Sequence, residues 1–188
     1  MIEIKNLNKI YLKGKKNMVH ALNNINLKID DRETVAIIGE SGAGKSTLLH
    51  IMSCIDNFDG EYYLDNIDIN KLSESKKSKL RSSKIGIVLQ DFALIDDFTV
   101  FENVMTPLYF NKKIKDKKGS VMRALKKTGI VSLKAKKVSQ LSGGQKQRVA
   151  ISRALVTSPE YIFADEPTGS LDSKTSEEIV KMLFDLNR

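Results

Sequence analysis

The chain has 188 residues, 41% apolar and 29% charged, with a formal net charge of +8. This suits one ordinary globular domain with a sizeable core; the single cysteine, Cys54, excludes an internal disulfide, and no apolar run approaches a membrane span. An excess of this sign suits nucleic acid or an acidic membrane surface, but it lies largely in the lysine-rich tracts Lys71 to Lys84 and Lys112 to Lys137, which carry few aromatics for base stacking and read as solvated faces.

Met1-Ile2-Glu3-Ile4 lacks the basic-then-apolar order of a signal peptide, which points to a cytoplasmic location. Residues 2 to 12 and 18 to 29 alternate apolar and polar around a polar turn from Lys13 to Asn17, and so predict antiparallel strands with one buried face. Tyr11 ends the first of these strands. It is either an ordinary strand aromatic or a ring that stacks on a base, and composition does not separate the two. His20 and His50 have no Cys or His partners at ligand spacing, so neither is expected to bind metal.

Thr34 to Ile38 predicts a short apolar strand, followed by Gly39-Glu40-Ser41-Gly42-Ala43-Gly44-Lys45-Ser46-Thr47 and an apolar helix over 45 to 55. The spacing is that of a phosphate-binding loop, Gly-x-x-x-x-Gly-Lys-Ser/Thr. Its glycines let the backbone curl around an anion, so that successive N–H groups and the helix N-terminus face phosphate oxygens. Lys45 then reaches the β- and γ-phosphates as a point charge, and the Ser46 hydroxyl suits a hard Mg²⁺ ion.

Asn57 to Gly60 reads as a helix breaker, Glu61 to Ile69 as a strand pair, and Ser73 to Arg81 as a polar helix. Ile85 to Leu89 is nearly all apolar, as in a strand buried on both faces of a parallel sheet. Gln90 follows at its carboxyl end, where open α/β sheets place ligand sites. From Asp91 to Ser139 the pattern is helical, with Val100 to Phe110 and a longer segment between Asp116 and Thr128, and it predicts a helical insertion. Leu141-Ser142-Gly143-Gly144-Gln145 opens a further helix with a second anion-binding end. Tyr161 to Glu166 is a buried strand ending in two carboxylates. Neighbours on a strand point to opposite faces, so one of Asp165 and Glu166 can hold Mg²⁺ while the other acts on a water nucleophile. A turn from Pro167 to Asp172 leads to a last helix with Ile179, Met182, Leu183 and Leu186 on one face, and the chain stops at Arg188 with no capping glycine.

Four motifs thus stand in one order: Gly39 to Thr47, Gln90, Leu141 to Gln145, and Tyr161 to Glu166. Together they resemble the nucleotide-binding domain of ABC transporters, over essentially the whole chain. Leu-Ser-Gly-Gly-Gln is the specific element. Gly39 to Thr47, Ala164-Asp-Glu-Pro-Thr-Gly and Gln145-Lys-Gln-Arg-Val-Ala-Ile-Ser-Arg-Ala-Leu are similar to the ATPases of lipoprotein-releasing, macrolide and antimicrobial-peptide exporters. The resemblance implies an α/β fold: a P-loop NTPase core with a mostly parallel sheet, an N-terminal antiparallel β subdomain and a helical insertion. A single domain is expected, with its core at 1–90 and 158–188 and its helical subdomain at about 91–157.

By the same resemblance, Tyr11 would stack on adenine, the 39 to 47 backbone and Lys45 would hold the phosphates of ATP, and Ser46 would ligate Mg²⁺. Gln90 would touch the metal or the attacking water, Asp165 would support the metal, and Glu166 would orient and deprotonate water. Ser142, Gly143, Gly144 and Gln145 would meet the nucleotide on a second subunit, with Asp172 lining that interface. The implied function is an ATP-hydrolysing subunit that powers an exporter through a separate membrane permease. It would work as a homodimer or paired nucleotide-binding domain on the inner face of the cell membrane, with no nucleic-acid partner. A soluble ABC-type ATPase acting on nucleic acid or the ribosome, and a hydrolysis-deficient regulatory module, are the alternatives. The family places a switch histidine on a strand beyond the last helix, whereas this chain has no histidine after His50. Truncation and weak activity are the expectations that follow.

Overall fold

A computed structural model describes residues 1–12 and 14–187. The polar turn expected at 13 to 17 and the chain end at 188 therefore lie partly outside the described residues. Two compact units are present, Met1–Ser78 together with Asn187, and Lys79–Leu186.

In the first unit the alternating sequences form β1 (Ile2–Tyr11) and β2 (Val19–Ile29), paired antiparallel from Ile2 opposite Ile29 to Tyr11 opposite Val19. β3 (Asp59–Leu64) joins the other edge of β1, and the two-residue β4 (Ile67–Asp68) completes a sheet of order β2-β1-β3-β4. Ile2, Ile4, Leu7, Tyr62 and Leu64 supply the buried face. The sequence between Glu61 and Ile69 is thus a strand pair, as expected.

Helix α1 (Lys45–Met52) buries Leu48, Leu49, Ile51 and Met52. It is shorter than the expected 45 to 55: Cys54 takes a left-handed φ of 57°, and the Ile55 N–H turns back to the His50 carbonyl at 2.9 Å. The helix therefore ends before the Asn57–Gly60 breaker, leaving Ile55 exposed. Thr34 to Ile38 is not a strand. No described segment forms a ladder with it, and Ile38 is 92% exposed; apolar composition favours a strand, but only a partner's hydrogen bonds make one.

The unit boundary falls within α2 (Glu74–Ser83), the expected polar helix. In the second unit β5 (Ile85–Val88) pairs in parallel with β6 (Tyr161–Ala164). Gly86 lies under α5 (Gly143–Leu155), where a Cβ would meet the Ala154 carbonyl oxygen at 2.6 Å. β6 is less buried than its sequence suggests, since Ile162 is 37% exposed. Helix α6 (Ser173–Leu186) packs Ile179, Met182, Leu183 and Leu186 against Val88, Ala150, Ile151 and Ala154, so its apolar stripe is core.

The segment 91–139 is helical as expected. α3 (Val100–Phe110) starts at a capping box between Thr99 and Glu102, and α4 (Lys117–Lys127) starts at Asp116; the two have equal length, so the second is not the longer. A separate core of Val100, Val104, Leu108, Val121, Leu125, Val138 and Val149 joins them to α5. The Val100 N–H to Lys136 carbonyl and Val138 N–H to Phe98 carbonyl bonds tie the two ends of the segment together.

Candidate functional site

The 39 to 47 loop belongs to the first unit. Gly42 and Gly44 have φ of 81° and 88°, and a Cβ on Gly44 would meet the Ala21 carbonyl oxygen at 2.3 Å, so only glycine fits there. The Lys45 ammonium folds back over its own loop, donating to the carbonyls of Gly39 at 2.9 Å and Glu40 at 2.8 Å. Gly44, the residue before α1, offers no side-chain cap, and no acid stands in the first turn. A helix start with no carboxylate and no cap turns its N–H groups and the positive end of its dipole outward, as anion binding requires.

Tyr11 ends β1 as expected. Its hydroxyl donates to Asp56 Oδ2 at 2.8 Å, and the Lys9 ammonium lies 4.8 Å from its ring centre. Burial pushes the phenol pKa up, with the hydroxyl's contact to Asp56 adding to it and one to Thr47 opposing it.

In the second unit the parallel register puts Val88 beside Ala164, so the residues two further along, Gln90 and Glu166, emerge side by side at the carboxyl ends of β5 and β6. Gln90 Nε2 donates to Glu166 Oε2 at 2.7 Å. Asp165 is 8% exposed and its N–H donates to the Val88 carbonyl, whereas Glu166 is exposed and has a left-handed φ of 42°. The two acids therefore occupy opposite environments, and the strand has already ended at Ala164.

Ser142 is the N-cap of α5. Its Oγ accepts the Gln145 N–H at 3.4 Å and the Gln145 side chain accepts the Ser142 N–H at 3.1 Å. Here too the first turn of the helix carries no acid. Gly144 permits α6 to approach, since a Cβ there would meet Thr175 Cγ2 at 2.6 Å, and Leu171 reaches to 3.4 Å from a Cβ on Gly143. Asp172 thereby starts α6 close to the Gly143–Gly144 turn, where its carboxylate accepts from the Thr175 hydroxyl at 2.6 Å and the Thr175 N–H at 3.0 Å. Those bonds, the hydroxyl first, hold the Asp172 carboxyl below the usual range.

The family profile described as "ABC transporter" matches residues 22–169. An ABC transporter ATP-binding protein of Methanocaldococcus jannaschii, MJ0796, is 46% identical over all of this chain and 82% of its own length. The chain belongs to the ABC transporter family. The lipoprotein-releasing system ATP-binding protein LolD of Wigglesworthia glossinidia brevipalpis is 42% identical over the same shares, and the macrolide export ATP-binding/permease protein MacB of Mannheimia succiniciproducens is 43% identical over 29% of its length. This ABC protein is thus an ATP-binding subunit of that group. Its fold matches the dimeric post-hydrolysis structure of MJ0796 bound to ADP and Pi with a TM-score of 0.90, at 43% identity over 100% of this chain and 83% of that one.

Within the first unit, an acid-free helix start behind Lys45 with the Ser46 hydroxyl beside it fits a phosphate group and a hard cation such as Mg²⁺; within the second, Asp165 supplies a buried carboxylate. No group of three or more His, Cys, Asp or Glu side chains that could hold a metal occurs among the described residues. One residue to which the sequence assigned no role also shapes the site. Arg153 of α5 donates to the carbonyls of Phe92, at 2.7 Å, and Ala93, fixing two left-handed residues just after Gln90; burial lowers its pKa. The sequence marks it only as one of three cations in this helix, with Lys146 and Arg148.

Proposed function

We propose that this ABC subunit hydrolyses ATP to ADP and phosphate and drives export through a separate membrane permease. The observation that carries the reading is the Gln90 to Glu166 bond at the carboxyl ends of the parallel strands, beside a buried Asp165. Glu166 orients and deprotonates the attacking water, Gln90 positions that water or the metal, and Asp165 supports Mg²⁺, with Ser46 as a direct ligand. When bound, Mg²⁺ neutralises charge on the β- and γ-phosphates. Lys45 leaves the Gly39 and Glu40 carbonyls to bind the same phosphates, and Tyr11 takes the adenine. Dimeric MJ0796 supports a paired subunit; in a head-to-tail pair, Ser142 to Gln145 and Asp172 would meet the nucleotide held by the other subunit. The subunit then sits on the inner face of the cell membrane as one nucleotide-binding domain, with its helical subdomain at about 91–157.

The test is Glu166→Gln. ATP binding is retained and dimerisation is favoured, while hydrolysis falls about 10²–10⁴-fold, the usual contribution of a general base. Full hydrolysis by that variant overturns the role of Glu166.

A further inference from the structure

Just past Gln90 the chain turns into left-handed backbone. Phe92 has a φ of 62° and Ala93 one of 46°, two consecutive residues with side chains in a region that favours glycine. Local bonds close the turn, from the Phe92 N–H to the Leu89 carbonyl at 3.1 Å and from the Ala93 N–H to the Asp91 carbonyl at 2.7 Å. Such a turn persists only where its surroundings hold it.

Arg153 supplies the hold. One guanidinium nitrogen donates to the Phe92 carbonyl at 2.7 Å and another to the Ala93 carbonyl, so a rigid planar fork grips both left-handed residues from α5. The base of that fork is fixed, because the neighbouring Ala154 lies over Gly86 of β5, where a Cβ would meet its carbonyl oxygen at 2.6 Å. Phe92 itself packs against Val88, Ala150, Ile151 and Ala154. Two turns earlier on α5, Lys146 pairs with Asp96 at 3.3 Å. From Ile95 onward the loop is tied to α3 instead: the buried Asn103 accepts the Ile95 N–H at 2.8 Å and donates to the Ile95 and Thr99 carbonyls at 3.0 and 3.1 Å. The stretch next to Gln90 thus takes its position from α5.

We infer that Arg153 is a positioning residue for hydrolysis: by gripping the Phe92 and Ala93 carbonyls it fixes how the chain leaves β5, and so keeps the Gln90 amide on Glu166 Oε2. Ala93 is exposed, so water could satisfy its carbonyl without any charge. A half-buried guanidinium given to that bond, at a cost in desolvation, gains a fixed geometry that water does not supply. The role rests on the proposed hydrolysis by Glu166 and Gln90, whereas the grip itself does not.

The experiment compares Arg153→Met and Arg153→Lys with the unsubstituted chain in two ways. Amide hydrogen exchange, followed by NMR without nucleotide, should become about tenfold faster at Phe92 and Ala93 in Arg153→Met, the effect of losing a hydrogen bond to a charged group, while exchange in β5 and β6 is kept. Steady-state assays should show kcat lower by about tenfold to a hundredfold, the scale of a small misplacement, with nucleotide affinity retained. Arg153→Lys keeps the charge but offers one nitrogen in place of a fork, and should fall between. On a Gln90→Ala background Arg153→Met should change kcat by no more than about twofold, since its effect passes through the absent amide. A merely structural arginine would lower both backgrounds alike. Unchanged exchange at Phe92 and Ala93, exchange that rises equally throughout the chain in both variants, or an undiminished loss of kcat on the Gln90→Ala background overturns the inference. Faster local exchange with full kcat in both Arg153→Met and Gln90→Ala overturns the use of Gln90 in hydrolysis, on which the role rests, and supports the grip, so the two failures are told apart.

Discussion

The side-chain amide of Gln90 lies 2.7 Å from Glu166 Oε2, although the two residues are 76 positions apart. The contact follows from the parallel register of β5 with β6, which advances both strands in step until each ends on a polar group. It gives Gln90→Ala a definite expectation: with its neighbour gone, Glu166 loses orientation, and kcat falls by up to about 10²-fold, the scale of a small misplacement. Steady-state ATPase assays beside nucleotide-binding titrations check this, since affinity should remain.

Gly44→Ala should disrupt the phosphate loop at its base. The new Cβ would enter the Ala21 carbonyl at a φ of 88°, so strain and overpacking together cost about 2–5 kcal/mol. Thermal unfolding should show the loss, and ATP affinity should fall with it. By contrast Gly42→Ala meets no neighbouring atom within 4 Å, so its cost is limited to the left-handed backbone, about 1–2 kcal/mol.

Ser142→Ala separates the structural from the proposed functional role of the signature. Loss of the capping box costs about 1 kcal/mol of stability, readable by chemical denaturation. Under the proposed head-to-tail pairing, the same change should weaken ATP-dependent dimerisation of a Glu166→Gln background, read by size-exclusion chromatography. Ser142→Thr, which keeps a capping oxygen, should recover most of the stability.

Acid should loosen three helix starts together. Glu102 is held below the usual carboxylate range by the Thr99 N–H and hydroxyl, Asp116 by the Gly119 N–H and then Arg123, and Asp172 by the Thr175 hydroxyl and N–H. A carboxyl whose pKa is lower in the folded chain stabilises it above the unfolded pKa and ceases to do so as pH falls through the folded one. The Tm should therefore decline below about pH 4.5, and E102Q/D116N/D172N should decline less steeply. Circular dichroism melts across that range decide it.

Much of the fold was legible in local pattern. The alternation in β1 and β2, the bounds of α3, the Asp116 start of α4 and the apolar stripe of α6 all follow from periodicity and capping chemistry, which depend on near neighbours. Thr34 to Ile38 shows the limit: its residues suit a strand, but pairing is a property of two segments, and among the described residues none completes the ladder. The end of α1 shows another, because a left-handed Cys54 is set by how the chain must leave the core and not by any glycine or proline signal.

The same division holds at the site. By itself the sequence determined the chemistry: a glycine-rich loop with Lys45 and Ser46, an adjacent pair of acids, and a capped helix start at Ser142, because spacing along the chain dictates which backbone groups face an anion. Only the tertiary structure decided which of these groups meet. Strand register placed Gln90 on Glu166, the bare Cα of Gly144 let Thr175 close beside the signature, and Arg153 found the two carbonyls after Gln90. Such contacts depend on where distant segments pack, and no local pattern of residues carries that information.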